Sequence, residues 1–330
     1  MKTTRSRLVL IVANAMLCLT VWLPLQASGQ VYPDRPIKLI VPVGPGSNSD
    51  IVSRLLGEKL ALSLGQPIVI ENKPGAGGNI GADFVAKALP DGYTMLFASN
   101  ATHAANSAIY KSLPYDPLND FIHLAFIDWT PMLVVARPDG KYRTMEALIA
   151  ASRANSVPIN VAIPSTSSRV VLAEINRIAG TKFESVLYKT SGAAKGDLLG
   201  GHIDVLIDTV GASLPMMRSG TVKALAISMG ERSEAFPDIP TLAESGAPGF
   251  SVSPWNIIAV PKGTPQPVVD LLAQKIRAVI ADPAVQKKLL DDNGLLFGKD
   301  VSMSPPQVRA FVASELQKWD RIIRAANMQE

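Results

Sequence analysis

The residues of this chain best suited to chemistry are small hydrogen-bond donors gathered in short loops. Gly44-Pro45-Gly46 leads into Ser47, Asn48, Ser49 and Asp50. The apolar run Ile37 to Val43 precedes this loop, and an apolar face of Ile51, Leu55, Leu56 and Leu60 follows it. The pattern predicts a buried strand, a tight glycine turn and a helix capped by Asp50. Free backbone N–H groups and the positive end of a helix dipole converge at such a point, so it can hold an anion. An ordinary strand-to-helix turn has the same spacing.

Similar loops recur after other strand-like runs. They are Ser99-Asn100-Ala101-Thr102, Ser165-Thr166-Ser167-Ser168-Arg169, Lys189-Thr190-Ser191 and Asp208-Thr209. Together they suit an oxygen-rich anionic ligand held by many hydrogen bonds. Arg169 begins a helix, and its guanidinium fits a bidentate contact to a carboxylate; a solvated arginine at a helix start is the alternative. Trp255, with Tyr188 and Trp129, offers an apolar wall to a site, or packs into a core.

Catalytic and cofactor chemistry find little support. Gly75-Ala76-Gly77-Gly78-Asn79-Ile80-Gly81 fails the dinucleotide spacing, because Ile80 occupies the place of the third glycine. It reads as a glycine-rich turn before a helix. There is no phosphate-loop lysine motif and no nucleophile elbow. His103, His123 and His202 are widely separated and lack metal-ligand spacing, and His103 reads as a helix-start or surface histidine. Asp208, at a strand end, suits accepting from loop amides or a ligand hydroxyl better than acting as a base. No enzyme activity, cofactor or metal is expected.

The elements that must position these loops follow from the chain as a whole. With 330 residues, 47% hydrophobic and 18% charged, it can bury a sizeable core in one large or two medium domains. Residues 1–29 read as a cleaved export signal. Lys2, Arg5 and Arg7 precede the apolar Leu8 to Leu25, and Ala27-Ser28-Gly29 supplies small cleavage-site residues. Removing this leader takes three basic residues and no acids, lowering the formal net charge from +4 to +1. The mature chain therefore has no charge argument for nucleic acid. Cys18, the only cysteine, leaves with the leader, so no disulfide or thiol chemistry remains.

From Ile37 onward, strand-like and helix-like patterns alternate, which argues an α/β fold with largely parallel sheets. The pattern begins again near Thr144, predicting two lobes with a ligand cleft between them. Chain order predicts crossovers near Val134–Arg137 and Val252–Trp255. One lobe then comprises residues 30–133 plus 255–330, and the other residues 134–254. Ligands of open α/β sheets bind beyond the carboxyl ends of the strands, where the polar loops fall.

Several motifs also carry a resemblance that covers nearly the whole mature chain. Tyr32-Pro33-Asp34-Arg35-Pro36-Ile37, Gln66 to Gly81 and Pro90-Asp91-Gly92-Tyr93-Thr94 are among them. Leu113-Pro114-Tyr115-Asp116-Pro117, Asp238-Ile239-Pro240-Thr241 and Pro261-Lys262-Gly263-Thr264-Pro265 follow in order. The chain thereby resembles the substrate-binding proteins of tripartite tricarboxylate transporters, the Bug family. The resemblance implies a two-lobed, type II periplasmic-binding-protein fold that closes over a small carboxylate, whether di-, tri- or aromatic. It implies a monomer that delivers this ligand to integral membrane subunits from the periplasm, with a carboxylate sensor that presents ligand to a signalling partner as the alternative. Carried onto this chain, the binding loops are Gly44 to Asp50 and Ser99 to Thr102, with Ser165 to Ser168 and Asp208 from the second lobe. The chain departs from the family pattern at Ser47, where a glycine is usual, at Pro164-Ser165-Thr166, which is one residue shorter, and at Arg169. The ligand-binding set expected is thus Gly46, Ser47, Asn48, Ser49, Asp50, Ser99, Asn100, Thr102, Ser165, Thr166, Ser167, Ser168, Arg169, Asp208 and Trp255.

Overall fold

Two five-stranded sheets share one plan. The computed structural model describes residues 32–154 and 158–329. The export signal expected at residues 1–29 lies outside them. In the first sheet, β1 (Ile37–Val41) pairs in parallel with β2 (Ile68–Asn72) and β3 (Thr94–Ser99). Strand β10 (Trp255–Pro261) runs antiparallel between β3 and β4 (Phe121–Trp129), giving the order β2-β1-β3-β10-β4. In the second, β6 (Asn160–Ile163) pairs in parallel with β7 (Glu184–Leu187) and β8 (Val205–Thr209). Strand β5 (Met132–Ala136) runs antiparallel between β8 and β9 (Lys223–Ile227), giving β7-β6-β8-β5-β9.

The odd strand in each sheet is the one that arrives from the other sheet. Because β4 ends at the carboxyl edge of its sheet, β5 enters the second sheet at that same edge and must run back down it. The first crossover is therefore Thr130-Pro131, between β4 and β5. Val134 to Ala136 lie inside β5, so the crossover is upstream of the expected Val134–Arg137. The apolar run Met132–Ala136 is buried throughout, and burial on both faces keeps it in the sheet. The second crossover ends at Pro254, just before β10.

The two crossovers are stitched together. Thr130 N–H donates to Pro254 O at 2.8 Å. Asp128 Oδ1 accepts from Asn256 Nδ2 and from Thr130 Oγ1, both at 2.8 Å. Asp128 is fully buried, and burial raises its carboxyl to about 6 despite those donors. Trp129 and Trp255 are direct cross-strand partners, and Phe311 packs edge-on against both rings. The C-terminal helix carrying Phe311, Pro305–Ala325, starts with a capping box between Ser304 and Gln307.

Helices follow the strands as the alternation predicts. They are α1 (Asn48–Leu64), α2 (Asn79–Ala86), α3 (Asn106–Ile109), α4 (Met145–Ala154), α5 (Thr166–Ala179), α6 (Ser191–Gly200) and α7 (Val210–Arg218). After β10 come α8 (Gln266–Ile280), α9 (Pro283–Asn293) and α10 (Pro305–Ala325). Side chains alternate between the sheet faces: Val161 and Ile163 join one apolar cluster, Ala162 the other. Helices therefore cover both faces, and the loops at the carboxyl ends of the strands are left for binding. Among the described residues no helix is long and apolar enough to cross a membrane.

Candidate functional site

The first loop is built to be rigid. Helix α1 begins at Asn48, and its N-cap is Ser47, whose Oγ accepts from Asp50 N–H at 3.3 Å. Asp50 is thus not the cap expected from the sequence, because Asn48 and Ser49 are already helical. Its side chain turns inward and is 3% exposed. Asp50 Oδ2 accepts from Gly46 N–H (2.9 Å) and Arg54 Nε (3.1 Å), and Oδ1 from Arg54 Nη2 (3.0 Å) and Asn72 Nδ2 (2.9 Å). Asn72 Nδ2 also reaches Val43 O at 3.0 Å. The Arg54 bonds hold the Asp50 carboxyl down at about 2, against the opposing effect of burial. With both oxygens taken, Asp50 shapes the loop, while Gly46, Ser47 and the first-turn N–H groups of Asn48 and Ser49 form its outer surface. Arg54 and Asn72 were not singled out by the sequence reading. An arginine four residues after a helix-start acid was their available signal.

The second loop leaves β3 at Ser99 and runs into a π-helical turn, Ala101–Ala105. Such turns are rare and break the regular hydrogen-bond ladder. Thr102 Oγ1 accepts from Ser99 N–H at 3.1 Å and donates to Ser99 O at 3.2 Å, so this hydroxyl closes the turn on itself. Thr102 is 1% exposed and offers nothing outward. Asn100 is also buried, and its Nδ2 has no hydrogen-bond partner among the described residues. The glycine-rich run earlier read as a turn packs directly here. A Cβ on Gly78 would stand 2.8 Å from Thr102 Cγ2, at a φ of +93°. Asn79 Oδ1 accepts from Asn106 Nδ2 at 2.7 Å, and Tyr115 OH bridges Asn79 Oδ1 and Thr102 O at 2.9 Å each.

His103 is a buried residue of this turn, not a surface or helix-start histidine. It is 0% exposed, its Nδ1 lies 3.1 Å from Thr102 Oγ1, and its ring meets His123 edge-on at 5.5 Å. Burial first, then the His123 charge, depresses its pKa well below the ordinary value. His123 Nε2 donates to Pro117 O at 3.0 Å, and burial holds this imidazole near 4. Both rings are therefore neutral packing groups at pH 7.

The second lobe repeats the device with hydroxyl caps. Ser165 Oγ accepts from Ser168 N–H at 3.1 Å at the start of α5. Thr190 caps α6 through Ala193 N–H, and Thr209 caps α7 through Ala212 N–H. Ser165 and Thr166 are exposed, Ser167 is half-buried, and Ser168 is enclosed, with its Oγ 2.7 Å from Ser165 Oγ. Asp208 stands at the end of β8, 3% exposed. Its Oδ1 accepts from Thr209 N–H at 2.8 Å, while among the described residues Oδ2 has no donor in hydrogen-bond geometry. Burial raises its carboxyl, and the nearby Ser191 hydroxyl, the Thr209 N–H and the Lys195 charge pull it partly back.

Two expected site residues separate sharply. Trp255 is 0% exposed, donates from Nε1 to Glu315 Oε2 at 2.8 Å and packs on Phe311. It belongs to the crossover core and presents no face to a ligand. Arg169 is exposed, and no partner for its guanidinium occurs among the described residues. Together with Thr166 it lines a cavity of about 80 Å³ whose opposite wall comes from the first lobe, at Gly77, Ala101 and Tyr110. This cavity joins the α5 start to the turn after β3. Neither Ser47 to Ser49 nor Asp208 lines it. Among the described residues no group of three His, Cys, Asp or Glu side chains could hold a metal ion.

Comparisons with known proteins agree with one another. Residues 52–328 match the family model described as tripartite tricarboxylate transporter family receptor. The chain is 37% identical over 300 residues to protein BugT of Bordetella pertussis, covering 90% of this chain and 91% of that protein. Among solved structures, the periplasmic binding protein BugD superposes with a TM-score of 0.77 at 32% identity, covering 91% of this chain and all of that one (100%). A protein of R. palustris solved with adipate gives 0.79 at 28% identity, covering 90% and 98%. MatC of Rhodopseudomonas palustris, with bound malate, gives 0.74 at 32% identity, covering 88% and 100%.

Proposed function

The chain belongs to the tripartite tricarboxylate transporter family of receptors, and from that premise we propose that it captures a small carboxylate between its lobes and delivers it to the membrane subunits of a transporter. Its two-lobed α/β fold is that of periplasmic binding proteins, and the family is one of solute-binding proteins, not enzymes. The observation that carries the reading is the set of hydroxyl-capped helix starts, Ser47 on one lobe and Ser165, Thr190 and Thr209 on the other, all at the carboxyl ends of strands. The Ser47, Ser165 and Thr190 starts leave first-turn N–H groups and a positive dipole end available to an anion, whereas at Thr209 the Val210 N–H donates to Pro131 O and Gly211 packs on Asn293 and Gly294.

In this reading Gly46, Ser47, Asn48 and Ser49 cradle a carboxylate from the first lobe, with Ser99 and Asn100 beside them. Ser165, Thr166, Ser167 and Asp208 close from the second. Asp50, Thr102 and Ser168 hold the loops in shape from beneath. The unpartnered Asn100 Nδ2 and Asp208 Oδ2 ask the ligand for an acceptor and a donor respectively. Hydrogen bonds to a charged group contribute about 1.5–3 kcal/mol each, and micromolar binding needs about −8 kcal/mol net, so a handful suffices. Relatives solved with adipate and malate support small diacids as the ligand class. Residues 35–130 with 255–329 form one lobe and 131–254 the other, hinged at the stitched crossovers, and closure reports the ligand to the transporter. The chain works as an exported monomer with its leader cleaved.

A thermal-shift panel of mono-, di-, tri- and aromatic carboxylates tests the reading. A ligand at 100 times its Kd adds about 2.7 kcal/mol to the folded state, a rise of several degrees. No shift with any acid of the panel sinks the carboxylate reading.

A further inference from the structure

We infer that the groove between α5 and α10 is a second binding site, separate from the carboxylate loops, for a phosphate-bearing small molecule whose phosphate bridges the two lobes. The groove has a volume of about 480 Å³. It is walled by both helices and by the segment that leads to the second crossover, at Gly249, Ser251 and Val252. None of the loop residues assigned to the carboxylate lines it.

The groove is basic, and buried acids set its cations in place. From α5 comes Glu174, 6% exposed, which accepts from Arg177 Nε at 2.7 Å and Nη2 at 2.8 Å. From α10 comes a matching pair. Glu315, 5% exposed, accepts from Lys318 Nζ at 3.1 Å through Oε1, while its Oε2 is taken by the Trp255 and Trp319 indoles. Both pairs use a spacing of three residues, which puts the partners on one helix face. The acids are therefore spent, but their cations are not. Among the described residues Arg177 Nη1 meets no acceptor, and Lys318 uses one of its three N–H donors. Arg321, one turn after Lys318, makes only a long bond from Nε to Gln317 O at 3.4 Å and has no acid partner among the described residues.

The lining holds three cations, Arg177, Lys318 and Arg321, and one carboxylate, Glu174, which leaves two positive charges for a ligand to balance. A phosphate monoester carries about −1.5 to −2 charges at pH 7 and three strong acceptor oxygens. Those oxygens point in several directions and can meet donors arriving from both helices at once, whereas a carboxylate presents two oxygens in one plane to a single fork. Ser251 adds a hydroxyl at the third wall, and Val252, Ile322 and Ala325 add apolar surface for the organic part. The volume lies within the range of about 300–1,000 Å³ usual for small-molecule pockets. Because Arg177 belongs to one lobe and Lys318 and Arg321 to the other, a bound phosphate ties α5 to α10 and opposes any rotation of the lobes that separates them.

Isothermal titration of the full chain at low ionic strength tests this, with pyrophosphate, glycerol 3-phosphate and succinate as probes. Co-sedimentation with phosphatidylcholine vesicles carrying phosphatidic acid separates a lipid headgroup from a soluble phosphate. The wild type should bind at least one phosphate probe, and Arg321→Gln and Arg177→Gln should each weaken it ~10-fold, the strength of a charge-assisted bond. Arg177→Lys, which keeps a cation beside the buried Glu174 and so guards against misfolding, should fall between. Lys299→Gln, which removes a basic residue outside the groove, should leave binding unchanged. Sedimentation with the vesicles that is lost in Arg321→Gln assigns a headgroup, and binding of the soluble probes alone assigns a free phosphate compound; either upholds the site. No binding of any phosphate probe, binding that Arg321→Gln leaves intact, equal loss in Lys299→Gln, or succinate binding with the same dependence on Arg321 overturns it. A loss confined to Arg321→Gln, with both Arg177 variants binding as the wild type does, overturns the bridge between the lobes. Matching melting curves will confirm that the variants fold.

Discussion

Replacing Asp50 by Asn tests whether the first loop is held by charge. The isosteric amide keeps the volume and one acceptor oxygen, so the change removes mainly the ionic component of the Arg54 and Gly46 contacts. A carboxyl held at about 2 instead of 3.8 corresponds to about 2.4 kcal/mol, at 1.36 kcal/mol per pKa unit. Arg54 is 54% exposed, so solvent screening reduces this to about 1–2 kcal/mol. The sign follows from linkage. The folded pKa lies below the unfolded one, so the contribution is complete above about 4 and is lost as pH falls towards 2. About half should remain at pH 3. Urea unfolding of wild type and Asp50→Asn at pH 7, 5 and 3 measures the difference. The variant should be weaker by about 1–2 kcal/mol at pH 7, with the gap narrowing to about half at pH 3. Equal stability at pH 7, or a gap that does not change with pH, refutes the ionic account of the loop.

Two further outcomes follow from buried groups. His103 and His123 have folded pKa values below the ordinary 6.5, so the unfolded chain binds more protons, and stability should fall as pH drops from about 6.5 towards 4; His103→Leu should flatten that slope in urea titrations, and an unchanged slope rules the pair out as its source. Glu315 accepts from Trp255 Nε1 at 2.8 Å and Trp319 Nε1 at 2.9 Å, so Glu315→Ala strands two buried indole donors and should cost roughly 2–5 kcal/mol, whereas Glu315→Gln keeps an acceptor and should cost less. Calorimetric melting temperatures that do not separate wild type from the Ala variant would remove these bonds from the account.

What could be read from the sequence divides along physical lines. Buried strands announce themselves as short Val/Ile-rich runs, and Ile37 to Val43, which contains β1, needed no tertiary information. Turn chemistry was equally visible, as at Gly44-Pro45-Gly46. Residues whose role depends on what lies across the fold were not legible. Trp255 is aromatic and lies beside a crossover, which suits a ligand wall, but Glu315, sixty positions later, takes its N–H into the core. Asp50 looked like a cap because its helix start was placed three residues late, and the approach of Asn72 from β2, with Gly46 and Arg54, explains why its carboxylate points inward. The first crossover was placed too far along because Val134 to Ala136 carries no local sign of which sheet it joins.

The two lobes use one topology to different chemical ends. Both sheets have the same order and both place hydroxyl-capped helices at the same edge, although the sequence contains no visible repeat. Equivalent positions of α1 and α5 then diverge. On α1, Asp50 and Arg54 neutralise each other and Asn72 ties the pair to β2, so the loop is held without a ligand and, under the proposed function, little ordering cost remains for binding there. On α5 the serines cap the helix without an acid, and Arg169 is left unneutralised. A bound anion cannot displace Asp50 from a bidentate arginine at small cost, but it can meet Arg169 without breaking any existing pair. Under the proposed function, the pre-formed first-lobe loop fixes the position of a carboxylate, and the second-lobe helix start meets the rest of the ligand.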